Sequence, residues 1–102
     1  MSEQLTRLRR DYAPPFLAHL TRQDEAGLRS AYELGRQAMS AGVSLLDLVR
    51  VHTEILLEVM HTARSLEEAE EIARAAGAFL VETLASFEMT QRGFMDQRDA
   101  GA

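Results

Sequence analysis

The sequence contains no cysteine, and glycine and proline together supply only eight of its 102 residues. Without cysteine there can be no disulfide, no thiolate zinc site, no iron–sulfur cluster and no cysteine nucleophile. This composition favours a reducing compartment, and we expect a cytoplasmic protein. The longest small or apolar run, residues 75–81, is far shorter than the ~18 residues of a membrane span, and the N-terminus lacks a signal-peptide core. We therefore expect no membrane association.

Charge and length narrow the class further. Sixteen acidic and eleven basic residues give a net charge of −5, which repels phosphate backbones, so we expect no nucleic-acid partner. A length of 102 residues suits one hydrophobic core. We predict one domain over residues 1–95, followed over 96–102 by a frayed tail or the start of a linker, because apolar periodicity is lost there.

Apolar residues recur at intervals of three and four, which predicts an all-α fold of four helices. The first is expected over about 2–21, and Pro14 and Pro15 should kink it near 11–13 or split it. Its predicted core positions are Leu5, Leu8, Tyr12, Phe16 and His19 or Leu20.

The second predicted helix has Gln23 or Asp24 as its N-cap and ends at Gly42. Its predicted stripe is Leu28, Ala31, Tyr32, Gly35, Ala38 and Met39. The third should begin at Ser44, which forms a capping-box pattern with Asp47, and run to about Thr62. Its predicted core stripe is Leu45, Val49, His52, Leu56, Val59, Met60 and Ala63.

A better capping box, Ser65 with Glu68, opens the fourth helix, which could exceed 25 residues. One face of it is predicted to form the bundle core: Leu66, Ala69, Ile72, Ala73, Ala76, Leu80, Thr83, Leu84 and Phe87. On a surface helix the opposite side is normally charged. Here it carries a second stripe of mostly small residues: Ala75, Ala78, Val81, Glu82, Ala85 and Met89. Either another surface packs on this stripe or its alanines merely raise helix propensity.

Few side chains suggest catalysis. Glu58 and His61 have the E-x-x-H spacing of di-iron bundles, but such a site needs two pairs, so we interpret them as a solvated ion pair. His61 is followed by a basic residue, Arg64, three positions later, as is the histidine of phosphotransfer bundles. The match is weaker at Ser65, because the small residue expected there should lie within a helix, whereas Ser65 looks like the cap of a new one. His52 is predicted to be a buried structural histidine. We expect no catalytic residue, metal or cofactor.

Three segments together resemble the N-terminal domain of the RsbU phosphatase family: residues 31–39 (AYELGRQAM), 45–56 (LLDLVRVHTEIL) and 87–94 (FEMTQRGF). The last is the most specific, because periodicity alone does not require its polar residues in that order. The resemblance extends from about Leu5 to Phe94. It implies a KaiA/RsbU-like four-helix bundle with a long C-terminal helix, found in bacterial partner-switching stress signalling.

In that family the domain forms a homodimer and docks a switch kinase of the RsbT type, which activates a serine phosphatase that follows. The sequence ends at Ala102 without a phosphatase domain, so we expect either a fragment or a stand-alone module. The expected partner-binding residues are Arg29, Glu33, Ala78, Val81, Ala85 and Met89. Two alternatives stay open, namely a phosphotransfer bundle that uses His61 and a purely structural dimerisation module.

Overall fold

The computed structural model describes the backbone of residues 3–101 and the side chains of residues 3–97. These residues form four α-helices: α1 (Glu3–Arg22), α2 (Glu25–Ser40), α3 (Leu45–Met60) and α4 (Leu66–Gly101). The predicted all-α bundle with a long last helix is confirmed. At 1.5 Å per residue α4 is about 54 Å long, and it sets the longest dimension of the molecule, 56 Å. Within the described residues no helix has the length and apolar character of a membrane span.

The first helix is continuous through Pro14 and Pro15, which contradicts a split into two pieces. The alternative, a kink near residues 11–13, stays a prediction. Each internal proline removes a backbone hydrogen bond and costs roughly 3 kcal/mol. Burial offsets this cost, because one stripe spans both halves of the helix and each buried apolar side chain contributes about 1.5–3 kcal/mol. That stripe is Leu8, Tyr12, Phe16 and His19, as predicted. The predicted start at Ser2 lies outside the described residues.

The ends of α2 form as predicted. A carboxylate oxygen of Asp24 accepts a hydrogen bond from the Gly27 amide at 3.0 Å, which caps the N-terminus. Just beyond the C-cap, Gly42 has a φ of +74°, the left-handed conformation that glycine adopts without steric cost. Both boundaries therefore follow from residues that are recognisable in the sequence.

The two predicted capping boxes differ in outcome. Ser65 Oγ accepts a hydrogen bond from the Glu68 amide at 3.0 Å and caps α4. Ser44 occupies the N-cap position of α3, but its side chain makes no capping hydrogen bond. The helical backbone of α4 continues through Gly93 to Gly101, and the division of the chain near residue 95 remains a prediction.

The helices pack around a central pair, α1 and α4. Each of these two contacts all three other helices, whereas α2 and α3 do not contact each other within the described chain. Tyr12 and Phe16 of α1 pack against Phe79 of α4 with ring centroids 5.4 and 5.2 Å apart. His52 of α3 joins them, 5.0 Å from Phe16. An aromatic cluster therefore connects three of the four helices.

The rotation of α3 and of α4 about their axes differs from the prediction. In α3 the buried residues are Leu48, Val51, His52 and Ile55, and Leu45, predicted to be core, is 46% exposed. In α4 Leu66 is 78% exposed and Ala73 is exposed, whereas Ala75, assigned to the outer stripe, is buried. Phe79 and Ser86 are buried although neither was predicted to be core. Both helices carry apolar residues on more than one side, so periodicity did not determine which side meets the bundle.

Candidate functional site

An exposed apolar stripe runs along the outer side of α4. It consists of Ala78, Val81, Ala85 and Met89, which are all exposed. Val81 is 66% and Met89 60% exposed, high values for apolar side chains in a helical bundle. The intervals of three, four and four residues place these side chains on one face of the helix. We call this set the α4 stripe.

The α4 stripe is exposed because α2 packs tightly against another side of α4. A Cβ built on Gly35 would overlap the Thr83 carbonyl oxygen and would lie 2.9 Å from the Phe87 amide nitrogen. Only glycine permits this approach. Ser86 Oγ also donates a hydrogen bond to the Tyr32 carbonyl. These contacts fix the rotation of α4 and leave its outer face without a neighbouring helix among the described residues.

Charged side chains stand at both ends of the α4 stripe. Arg74 lies one turn before it, and Arg92 lies one turn after it. Arg92 Nη2 donates to Glu88 Oε1 at 2.7 Å, whereas Arg74 forms no ion pair with any residue that the structure describes. Between the two arginines the ionisable groups on the helix are Glu82, which is half-buried, and Glu88, which is exposed and paired with Arg92. The surface is thus an apolar strip with charged ends, a common form of protein docking surface.

The candidate metal and phosphotransfer residues do not form a chemical site. The predicted ion pair between Glu58 and His61 does not form. The Glu58 carboxylate instead accepts a hydrogen bond from Arg9 Nη2 at 2.7 Å. The other nitrogen of the same guanidinium donates to Glu54 at 2.8 Å. His61 is the C-cap residue of α3, at a helix end instead of the mid-helix position of a phosphoacceptor. Among residues 3–97 no three His, Asp or Glu side chains are grouped as metal ligands.

The prediction for His52 is confirmed. Its side chain is 4% exposed, and a 2.8 Å hydrogen bond joins its Nδ1 to the hydroxyl of Tyr12. Burial lowers the pKa of His52 below its usual 6.5, because the charged ring is poorly solvated. Burial also raises the pKa of the Tyr12 phenol. Both groups are therefore neutral near pH 7, and this interaction is part of the core.

A sequence model of the family described as phosphoserine phosphatase RsbU, N-terminal domain, matches residues 10–90. The chain belongs to the RsbU N-terminal domain family. No curated protein and no solved structure matches it significantly. The matched family is a regulatory domain of partner-switching phosphatases and not a catalytic one. The match contains all of α2, α3 and the α4 stripe, so the candidate surface lies inside the RsbU domain.

The two charged residues predicted to bind a partner lie on a different helix from the α4 stripe. Arg29 and Glu33 are exposed on α2 and line an open groove between α2 and α1, together with Pro15 and Leu34. Glu33 Oε1 is 3.8 Å from a guanidinium nitrogen of Arg36. The RsbU domain thus presents its predicted partner-binding residues as an apolar strip on α4 and a charged pair at the α1–α2 groove.

Sequence reasoning missed one further surface of the RsbU domain. On α3, Leu46 is 59% and Leu57 57% exposed, and neither was assigned to any face. Their separation of eleven residues, three helical turns, is the signal that could have found them, because it places both on one side of the helix.

Proposed function

We propose that this chain is a non-catalytic docking module that forms a homodimer and binds a switch kinase of the RsbT type. Binding would control a serine phosphatase in a bacterial partner-switching pathway. The observation that carries the proposal is the exposed α4 stripe inside a segment that matches the RsbU N-terminal domain over residues 10–90. A regulatory domain acts through its surface, and the residues of this strip are apolar and exposed.

The chemistry of the α4 stripe suits a protein partner. Val81 and Met89 supply exposed apolar area, and the unbranched thioether of methionine adapts to different partner surfaces. The small side chains of Ala78 and Ala85 keep the strip low at these two positions, so a partner helix can approach closely. The charges of Arg74 and Arg92 at the two ends would orient the partner, since complementary charge contributes mainly to specificity and association rate.

Arg29 and Glu33 extend the proposed docking surface onto α2. A pair of opposite charges one helical turn apart specifies a partner with the reverse order of charges. Both side chains are exposed, so each single substitution should weaken binding less than a charge placed in the α4 stripe. This second contact is the more peripheral part of the proposal.

Val81→Glu tests the docking surface, with Leu17→Glu on α1 as the matched control because Leu17 is also an exposed apolar residue, at 43%. Calorimetric titration with an RsbT-type kinase should show affinity reduced at least about tenfold in Val81→Glu, since a carboxylate buried without a partner is costly. The control should bind like the wild type. Light scattering on the same samples reports the oligomeric state.

The two measurements together separate the possible roles of the strip. A variant that stays dimeric and no longer binds the kinase supports docking at the α4 stripe. A variant that becomes monomeric instead assigns the strip to the dimer contact, and one that changes neither association contradicts both roles. A wild-type mass that stays near 11.4 kDa at high micromolar concentration contradicts dimerisation.

A further inference from the structure

The outward side of α3 carries a second apolar stripe, which is distinct from the α4 stripe. It consists of Leu46, Val49, Thr53, Leu57 and Met60. Leu46 and Leu57 are more than half exposed, Thr53 is exposed, and Val49 and Met60 are half-buried. The core of α3 lies on another side of the helix, at Leu48, Val51, His52 and Ile55. We call the outward set the α3 stripe.

The position of α3 in the bundle leaves this stripe without a neighbour. Within the described chain α3 contacts α1 and α4 and does not contact α2. Its contact with α1 includes the exposed ion pairs of Arg9, which donates to both Glu54 and Glu58, and the buried hydrogen bond between Tyr12 and His52. These links determine which side of α3 meets the bundle, so the α3 stripe faces away from it.

The α3 stripe has no ionisable side chain. The charged residues of α3, which are Asp47, Arg50, Glu54 and Glu58, belong to the rest of the helix surface. Arg50 and Glu54 border the stripe, each three residues before one of its members. This differs from the α4 stripe, which has arginines at both ends. A surface without charge offers little to orient a different protein, but it meets a copy of itself without repulsion between like charges.

The spacing of the α3 stripe is symmetric about its centre. The intervals between successive residues are three, four, four and three, so Thr53 is the midpoint both of Leu46 and Met60 and of Val49 and Leu57. When two such helices pack antiparallel about a two-fold axis at Thr53, each large apolar residue faces another large apolar residue. The two threonine hydroxyls then lie within reach of each other. An isologous contact requires this self-complementarity.

We propose that the α3 stripe is the contact between two copies of this chain. In this arrangement Leu46 packs against the partner's Met60, Val49 packs against the partner's Leu57, and Thr53 lies on the two-fold axis. The inference rests on the dimerisation proposed above and adds to it the surface and the geometry. It also leaves the α4 stripe free for the kinase, so one dimer presents two docking strips.

A cysteine at the axis tests the geometry directly, because the sequence contains no cysteine that could form a competing disulfide. A disulfide forms only where the two Cα atoms come within about 7 Å of each other. Thr53→Cys should therefore give a covalent dimer of about twice 11.4 kDa on a non-reducing gel after mild oxidation at micromolar concentration. Thr21→Cys, at an exposed threonine of α1, is the matched control and should stay monomeric on the same gel.

Leu46→Glu provides a second, independent measurement, again with Leu17→Glu as the control. We expect Leu46→Glu to raise the dimer dissociation constant at least tenfold in light scattering, while its affinity for the kinase in dilute solution stays at the wild-type value. Equal crosslinking of the two cysteine variants overturns the proposed contact. So does a dimer whose dissociation constant is unchanged by Leu46→Glu and whose Thr53→Cys variant is not crosslinked by oxidation. In the second case dimerisation itself stands. A monomeric wild type overturns the dimer and this contact together, whereas kinase docking is measured separately.

Discussion

Removal of the Tyr12 hydroxyl tests the buried hydrogen bond that joins α1 to α3. Tyr12 is fully buried and His52 is 4% exposed, and Tyr12 Oη lies 2.8 Å from His52 Nδ1. In Tyr12→Phe the ring can still pack on Phe16 and Phe79, but Nδ1 of His52 loses its partner. A buried polar atom left unpaired costs about 1–3 kcal/mol, and we expect the free energy of unfolding to fall by that amount.

The reciprocal variant, His52→Ala, leaves the Tyr12 hydroxyl unpaired. We expect a loss of about 1–3 kcal/mol, toward the upper end because the ring contact with Phe16 is lost as well. In the double variant no polar atom is left unpaired. Its loss should therefore be smaller than the sum of the two single losses by about 1–2 kcal/mol, a coupling typical of directly bonded residues.

Urea unfolding followed by circular dichroism measures all four proteins of this cycle. The assay belongs near pH 7.5, above the usual His pKa of about 6.5, where His52 is neutral. In a domain of this size each lost kcal/mol lowers the melting temperature by roughly 4–8 °C. Single losses that add to within about 0.5 kcal/mol would refute the coupling through the hydrogen bond. An unchanged melting temperature in His52→Ala would contradict its structural role altogether.

Three other predictions follow from the core and its surroundings. Gly35→Ala should lower the free energy of unfolding by at least about 1–3 kcal/mol, because the new Cβ meets the α4 backbone. Gly77→Ala should raise it by about 0.5–1 kcal/mol, because a Cβ there meets no atom within 4 Å. Equal effects of the two substitutions in calorimetry would contradict the close approach of α2 to α4. Since burial lowers the pKa of His52, the unfolded chain binds the proton more readily, so stability falls below about pH 6.5 by up to about 1.4 kcal/mol per pH unit. Melting curves of the wild type should show this loss, and those of His52→Ala should lack it. Arg9→Gln should cost less than about 1 kcal/mol in urea unfolding, because its ion pairs are exposed to solvent.

The first two helices could be predicted from the sequence because their apolar stripes are narrow. In α1 the residues spaced by three and four from Leu8 to His19 are the buried ones, and Arg7, Arg10 and Asp11 lie on the other sides of the helix. In α2 the cap at Asp24 and the left-handed Gly42 mark both ends. The continuity of α1 through Pro14 and Pro15 was not predictable locally, because tertiary packing offsets the cost of the prolines.

The faces of α3 and α4 could not be predicted in the same way. Between Leu45 and Met60 apolar residues surround more than half of the helix, so several stripes have equally regular spacing. Local sequence gives no means of choosing among them, since the choice depends on where α1 and α4 lie. In α4 small residues occur on all sides. The predicted core face of α4 is therefore rotated relative to the observed one, and it leaves out Phe79, which is fully buried.

What determines the candidate surfaces is therefore a small set of long-range contacts. The glycine approach at Gly35 and the hydrogen bond from Ser86 to the Tyr32 carbonyl fix the rotation of α4, and this rotation exposes Val81 and Met89. The hydrogen bond between Tyr12 and His52 does the same for α3. Because the rotation of each helix is fixed by different residues, a change at Gly35 should disturb the α4 stripe while leaving the α3 stripe in place. Docking and dimerisation, if they use these two stripes, should then be separable by mutation inside the core as well as on the surface.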